Sequence, residues 1–177
     1  ELRQDAFLGL ADFALRSTQY VATKHYGSMV TIGKVSVMPG AFSIVPGQVD
    51  FTLEYRSTSK ETLEEIEKSL LALAKDIAST RGLEFASKVM DKTEPLKVSP
   101  RMISILEEEC QKLDYSSMKM TSGAGHDAQI VAAVTDSGMI FIPCADGISH
   151  SPQEMIEWSD LEKGANLLLH ALLGLAA

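Results

Sequence analysis

The residues of this chain best suited to chemistry sit in loops. The clearest is His150 in Gly147 to Glu154 (GISHSPQE), directly after the apolar run Met139 to Pro143 (MIFIP). An imidazole between two serines, past a buried-looking strand and ahead of a proline, is either a metal-ligand or acid/base group at a pocket rim or, as a lone loop histidine usually is, a solvated or packing residue. One histidine is only a fraction of a site. Zinc-type sites take roughly three or four N, O or S ligands, and the chain has no HExxH and no compact His/Asp/Glu cluster. Asp146 and Glu154 flank His150, but a loop of this length does not by itself bring them onto one ion. A second stretch, Ser122 to Ala128 (SGAGHDA), sets Gly123 and Gly125 around Ala124 ahead of His126 and Asp127. Either its backbone amides and the following helix start receive an anionic or carbonyl oxygen, or Gly125 makes a tight turn and Asp127 is an N-cap. Arg56 closes an alternating strand on its polar face, where it either grips a substrate carboxylate with two parallel N–H bonds or is a solvated strand-end charge. Ser43, in the turn Pro39 to Gly47, is placed to reach the same region or simply serves the turn. Cys144 is a conceivable nucleophile, with nothing in sequence to lower its pKa. His25 and His170 read as surface or packing residues, and Trp158 as a packing anchor.

The elements that must position these groups are legible from periodicity. Phe7, Leu10, Phe13, Ala14 and Val21 predict an amphipathic helix over residues 2 to about 24, ending near Gly27. Val30 to Met38 is β-rich, with a phase slip across Gly33 as a bulge produces. Gln48 to Arg56 alternates strictly, with Val49, Phe51, Leu53 and Tyr55 on one face. Thr58 and Glu61 have capping-box spacing ahead of a helix that carries Leu63, Ile66, Leu70, Ala74 and Ile77 and stops at Gly82. Leu83 to Met90 reads as a further strand.

Residues 1 to about 94 are thus an α+β unit, two helices on an antiparallel sheet whose usual fourth strand would precede Glu1. Lys92 to Pro100 is a polar, proline-bracketed linker. Beyond it, Ser99 and Pro100 start a helix with Met102, Leu106, Cys110 and Leu113 in one stripe. A short helix over 129–134 and the MIFIP strand follow. Ser159 and Glu162 then have capping-box spacing before a closing helix. Helix and strand alternate over 95–177 as in an α/β fold, with too few strands to close a sheet.

The 177 residues, 45% hydrophobic, suffice for a substantial core. Sixteen Lys+Arg against 24 Asp+Glu give a formal net charge of -8, which disfavours nucleic acid and anionic membrane as partners. The two cysteines, Cys110 and Cys144, lack CxxC spacing, which suits a reducing, cytoplasmic setting better than a disulfide framework. The most apolar run, Leu167 to Ala177, is shorter than the about 20 residues a bilayer span needs. No signal peptide is evident, and the start at Glu1 reads as a cut from a longer protein.

Taken in order, PGAFSIVPGQVDFTLEYR, SGAGHDA and FIPCADGISHSPQE resemble the C-terminal part of the M20-type metal-dependent amidohydrolases. The nearest branch holds the N-carbamoyl-L-amino acid hydrolases, allantoate amidohydrolases and ureidoglycolate hydrolases, and the likeness runs over nearly all of the chain. It implies a catalytic domain with two divalent metal ions (zinc, manganese or cobalt), interrupted by a ferredoxin-like lid that also mediates homodimerisation. Residues 1–94 would be most of the lid, and 95–177 the end of the catalytic domain. By the same resemblance His150 matches the last metal ligand, Arg56 the lid arginine for the substrate carboxylate, and Gly123, Ala124 and His126 the substrate-contacting turn. Ser43 stands where relatives usually carry asparagine in a PNVIPG-like turn, which affects a lid-to-substrate hydrogen bond. The other metal ligands, the glutamate general base and a lid histidine would all precede Glu1, so no catalytic residue is expected in this stretch. The expectation is a parent enzyme that hydrolyses a C–N bond of an N-carbamoyl or ureido acid, and a chain inactive alone. A dimerisation module and an aminopeptidase-like M20 hydrolase are the competing readings.

Overall fold

A computed structural model describes residues 3–176 and divides the chain into two compact units, Glu1–Pro95 and Leu96–Ala177. The first begins with α1 (Ala6–Lys24). Residue 2, where the periodicity started the helix, lies outside the described residues, and residues 3–5 are not helical. The reason is Asp5, whose Oδ1 accepts the amides of Phe7 (3.1 Å) and Leu8 (3.2 Å) and so caps the helix from outside it. Arg3 donates to the same carboxylate at 2.6 Å and, with those amides, holds it below the usual aspartate range.

Strands β1 (Met29–Met38) and β2 (Gln48–Arg56) form a two-stranded antiparallel sheet. The register slips between Ile32 and Lys34, which leaves Gly33 as the extra residue of the predicted bulge, and Thr52 Oγ1 takes up the Lys34 amide at 3.1 Å. Along β2 the alternation holds: Val49, Phe51, Leu53 and Tyr55 are half-buried, and Asp50, Thr52, Glu54 and Arg56 are exposed. Helix α2 (Lys60–Thr80) is capped by Ser59, not Thr58: Ser59 Oγ accepts the Thr62 amide at 3.2 Å. Gly82, at φ +66°, ends it in the left-handed region.

The core lies between the helices and one face of the sheet. Leu10, Phe13 and Val21 of α1 meet Ile66, Leu70, Ala74 and Ile77 of α2, and the inward row of β2 packs against them, with Phe13 and Phe51 ring centroids 5.6 Å apart. Residues 83–90 are not a strand. Phe85 packs on the core while Val89 and Met90 are exposed, and the only two strands described are paired with each other. A strand exists only where a neighbour offers ladder groups, and here none is within the described residues.

The second unit consists of α3 (Pro100–Lys112), α4 (Asp127–Val131), a 3₁₀ turn (Ala145–Gly147) and α5 (Trp158–Ala176). The α/β alternation expected for 95–177 is not found, because MIFIP has no strand partner among the described residues and forms no ladder. It runs as an irregular segment beside α5, where a Cβ built on Gly164 would fall 2.5 Å from Ile142 Cγ2, so only glycine admits this approach. Met102, Leu106, Ile140, Ile142, Ala165 and Leu168 line an apolar cleft of about 450 Å³. Cys110, Leu167 and Ala171 are buried. Glu109 is also buried; Lys112 pairs with it at 2.6 Å, and His170 Nδ1 lies 3.8 Å away. Helix α5 starts one residue before the expected Ser159 cap, with the Glu157 carbonyl accepting the Asp160 and Leu161 amides. Trp158 is 83% exposed, so the packing anchor expected there is not found among the described residues.

Candidate functional site

The His150 loop is built by turns. After the half-buried, free thiol of Cys144, Asp146 (φ +54°) and Gly147 (φ +68°) turn the chain, and the Ala145 amide donates to the Met155 carbonyl at 2.8 Å, which closes the neck of the loop. Ser151 to Glu154 makes a β-turn with Pro152 second, the place where its fixed φ suits the turn, and the Glu154 amide donates to the Ser151 carbonyl at 2.9 Å. His150 itself has φ +56°, in the left-handed region that non-glycine residues use uncommonly and that histidine enters more often than most. Its amide donates to Glu154 Oε2 at 2.9 Å, while its exposed ring takes no hydrogen bond from the described residues. The described residues contain no group of three or more His, Cys, Asp or Glu able to hold a metal. An exposed imidazole is chemically suited to offer one nitrogen to a divalent ion, and the described residues around it do not make up a ligand set.

The SGAGHDA turn is organised by its own side chains. Ser122 Oγ lies 2.7 Å from His126 Nε2 and accepts the Ala124 amide at 3.2 Å. His126, half-buried, stacks edge-on to Phe141 with centroids 5.6 Å apart. It also takes the N-cap position, which makes Asp127 the first helical residue instead of the cap. Gln129 Oε1 accepts the His126 amide at 3.2 Å, so α4 starts two residues earlier than the expected 129–134. With five residues α4 has little macrodipole to offer an anion. What the turn presents is an imidazole held in place by Ser122, a partner that the sequence reading did not single out.

Arg56 stands at the end of β2 with its Nε (2.9 Å) and Nη2 (2.7 Å) on Glu54 Oε1. That pairing was readable in advance, since residues two apart on a strand share a face. Ser43 is elsewhere. It lies in the loop joining Met38 to Gln48, whereas Arg56 pairs with Met29 at the other end of the hairpin. Eight residue steps separate those ends, roughly 26 Å. The expectation that Ser43 reaches the Arg56 region is thus not met within one chain, because the hairpin is extended.

Ser43 has φ +62°, a conformation asparagine adopts more readily than serine. Ser43→Asn is accordingly expected to raise stability by up to about 1 kcal/mol, read as a higher urea midpoint; a lower midpoint would contradict that account of the turn.

Comparison with known proteins completes the picture. The profile of peptidase family M20/M25/M40 matches residues 11–174. The chain belongs to this family. Among M20 relatives, an N-carbamoyl-L-amino-acid amidohydrolase of Paenarthrobacter aurescens is 33% identical over 171 residues, 97% of this chain and 42% of that protein. An allantoate amidohydrolase of Escherichia coli K12 is 33% identical over 148 residues, 84% of this chain and 36% of that protein. A crystal structure of a hydantoinase/carbamoylase family amidase from Burkholderia multivorans superposes with a TM-score of 0.89 at 32% identity, over 97% of this chain and 42% of that one. The chain thus spans about two fifths of the length of these M20 proteins.

Proposed function

We propose that the protein containing this chain hydrolyses a C–N bond of an N-carbamoyl or ureido acid, with residues 1–94 as most of a lid and 95–177 as the end of a catalytic domain. The observation that carries the reading is the His150 loop, which presents an exposed imidazole that takes no hydrogen bond from the described residues, in a chain matched by the M20 family over residues 11–174. The names of the M20 relatives supply the substrate class.

In this reading His150 is one ligand of a pair of divalent ions. Such ions, zinc, manganese or cobalt, supply an acidified water and a polarised carbonyl when bound. This chain's own contribution is positional. Arg56 binds the substrate carboxylate by exchanging or sharing its bond to Glu54, and fixes which end of the acid faces the chemistry. Gly123, Ala124 and His126 line the ureido end, with His126 oriented by Ser122 to donate or accept a hydrogen bond there. In this reading the lid is ferredoxin-like, a description supported by its two helices packed on an antiparallel pair. A homodimer through this lid is part of the proposal. The separation of Ser43 from Arg56 supports it, since two copies let both ends of a hairpin serve sites. No helix among the described residues is long and apolar enough to cross a membrane.

The isolated chain is expected to show no turnover of N-carbamoyl amino acids or allantoate with added zinc, manganese or cobalt, because one ligand does not assemble the site. Turnover abolished by His150→Ala would refute that insufficiency. In the full-length protein, a substrate panel in which peptides are cleaved and ureido acids are not would overturn the substrate class.

A further inference from the structure

We infer that Glu154 is a positioning residue for His150, acting through the His150 backbone amide and not as a ligand or proton carrier. The inference rests on the reading of His150 as a metal ligand. Glu154 is exposed, and among the described residues no cation pairs with it. A solvated surface carboxylate has no reason to turn back on its own loop, yet Glu154 Oε2 lies 2.9 Å from the His150 nitrogen.

Three hydrogen bonds converge on this geometry. The Ala145 amide to the Met155 carbonyl (2.8 Å) holds the neck, and the Glu154 amide to the Ser151 carbonyl (2.9 Å) folds the turn over Pro152. Ser151 Oγ donates to the Gln153 side chain, which stiffens the middle of that turn. The turn carries the Glu154 side chain back to the one backbone donor that a left-handed His150 exposes. At φ +56° His150 occupies the left-handed region, which non-glycine residues use uncommonly, and the carboxylate acceptor favours that conformer over the extended one. Were φ to revert to the extended region, Cβ and the imidazole would swing to another side of the loop. The clip therefore determines the direction in which the ring leaves the chain, a role that partners of ligating residues commonly have.

The test uses the full-length protein throughout, for metal retention against graded chelator and for exchange of the His150 amide with deuterium by NMR. Glu154→Ala is expected to weaken metal affinity roughly tenfold and to speed His150 amide exchange. Glu154→Gln should restore both, since a side-chain amide oxygen accepts the same backbone bond. A Gln variant as deficient in metal as the Ala variant overturns the inference in favour of a charge-bearing role, and an Ala variant unchanged in both readouts overturns it outright. His150→Ala is the control. Full metal retention there sinks the ligand assignment itself, while the exchange readout in the other variants still reports whether Glu154 holds the loop.

Discussion

Leu70→Ala is expected to lower the stability of the unit Glu1–Pro95 by about 2–5 kcal/mol. Leu70 is 1% exposed and sits at the middle of the buried face of α2, between Ile66 (0%) and Ala74. Its side chain meets the α1 residues Leu10, Phe13 and Val21 and the inward row of β2 in a single cluster. The sheet has only two strands and contributes half-buried residues, so neighbours have little scope to close over the void. A small domain has a total stability of about 5–15 kcal/mol, and a loss of this size removes much of it. Far-UV circular dichroism against urea reads the change; tryptophan fluorescence does not, because Trp158 belongs to the other unit. Leu15→Ala, at a position 75% exposed on α1, is the matched control and should move the midpoint little. Equal losses in the two variants would show that the α1–α2 face is not the core.

Arg56→Ala in the full-length protein is expected to reduce kcat/KM for an N-carbamoyl amino acid by roughly 30- to 1,000-fold, equivalent to about 2–4 kcal/mol of transition-state binding. A forked guanidinium can meet a carboxylate with two parallel bonds, and truncation leaves the anion without them. Arg56→Lys keeps the charge but loses the fork, so only part of the activity should return. The decisive comparison is with the carboxamide analogue of the same substrate, which has no carboxylate to lose. If Arg56→Ala slows both compounds alike, the residue supports the lid structure and does not bind the acid group. Glu54 bears on the outcome, because its Oε1 already receives Nε and Nη2 of Arg56, and substrate has to compete with or join that contact.

Local order was the legible part. The α1 and α2 periodicities, the alternation of β2 and the bulge at Gly33 each depend on neighbours a few residues away, and each is present. Helices α1 and α2 begin four residues and one residue later than expected, at Ala6 and Lys60 behind the caps Asp5 and Ser59, because several nearby side chains can cap and only their geometry selects one. Leu83 to Met90 and Met139 to Pro143 have strand composition without strand structure, since β character is completed by a partner that composition does not supply. Ser122 as the companion of His126 is not signalled by the sequence, and Glu154 is visible there only as a carboxylate flanking His150, not as the acceptor of its backbone amide: a backbone that turns four residues back on itself has no periodic signature.

By itself, then, the sequence determined the family, through the PGAFSIVPG, SGAGHDA and GISHSPQE stretches, and most of the core face of α1, α2 and β2, because the helical and extended repeats are properties of a single chain; Phe7, expected on that face, is 46% exposed in the first turn of α1. Only the tertiary structure decided that Ser43 and Arg56 lie at opposite ends of a hairpin, that no ligand cluster forms around His150 among the described residues, and that Glu154 bonds to a backbone amide. Those are distances through space, and they are set by hydrogen-bond partners and turns that the order of residue types leaves open.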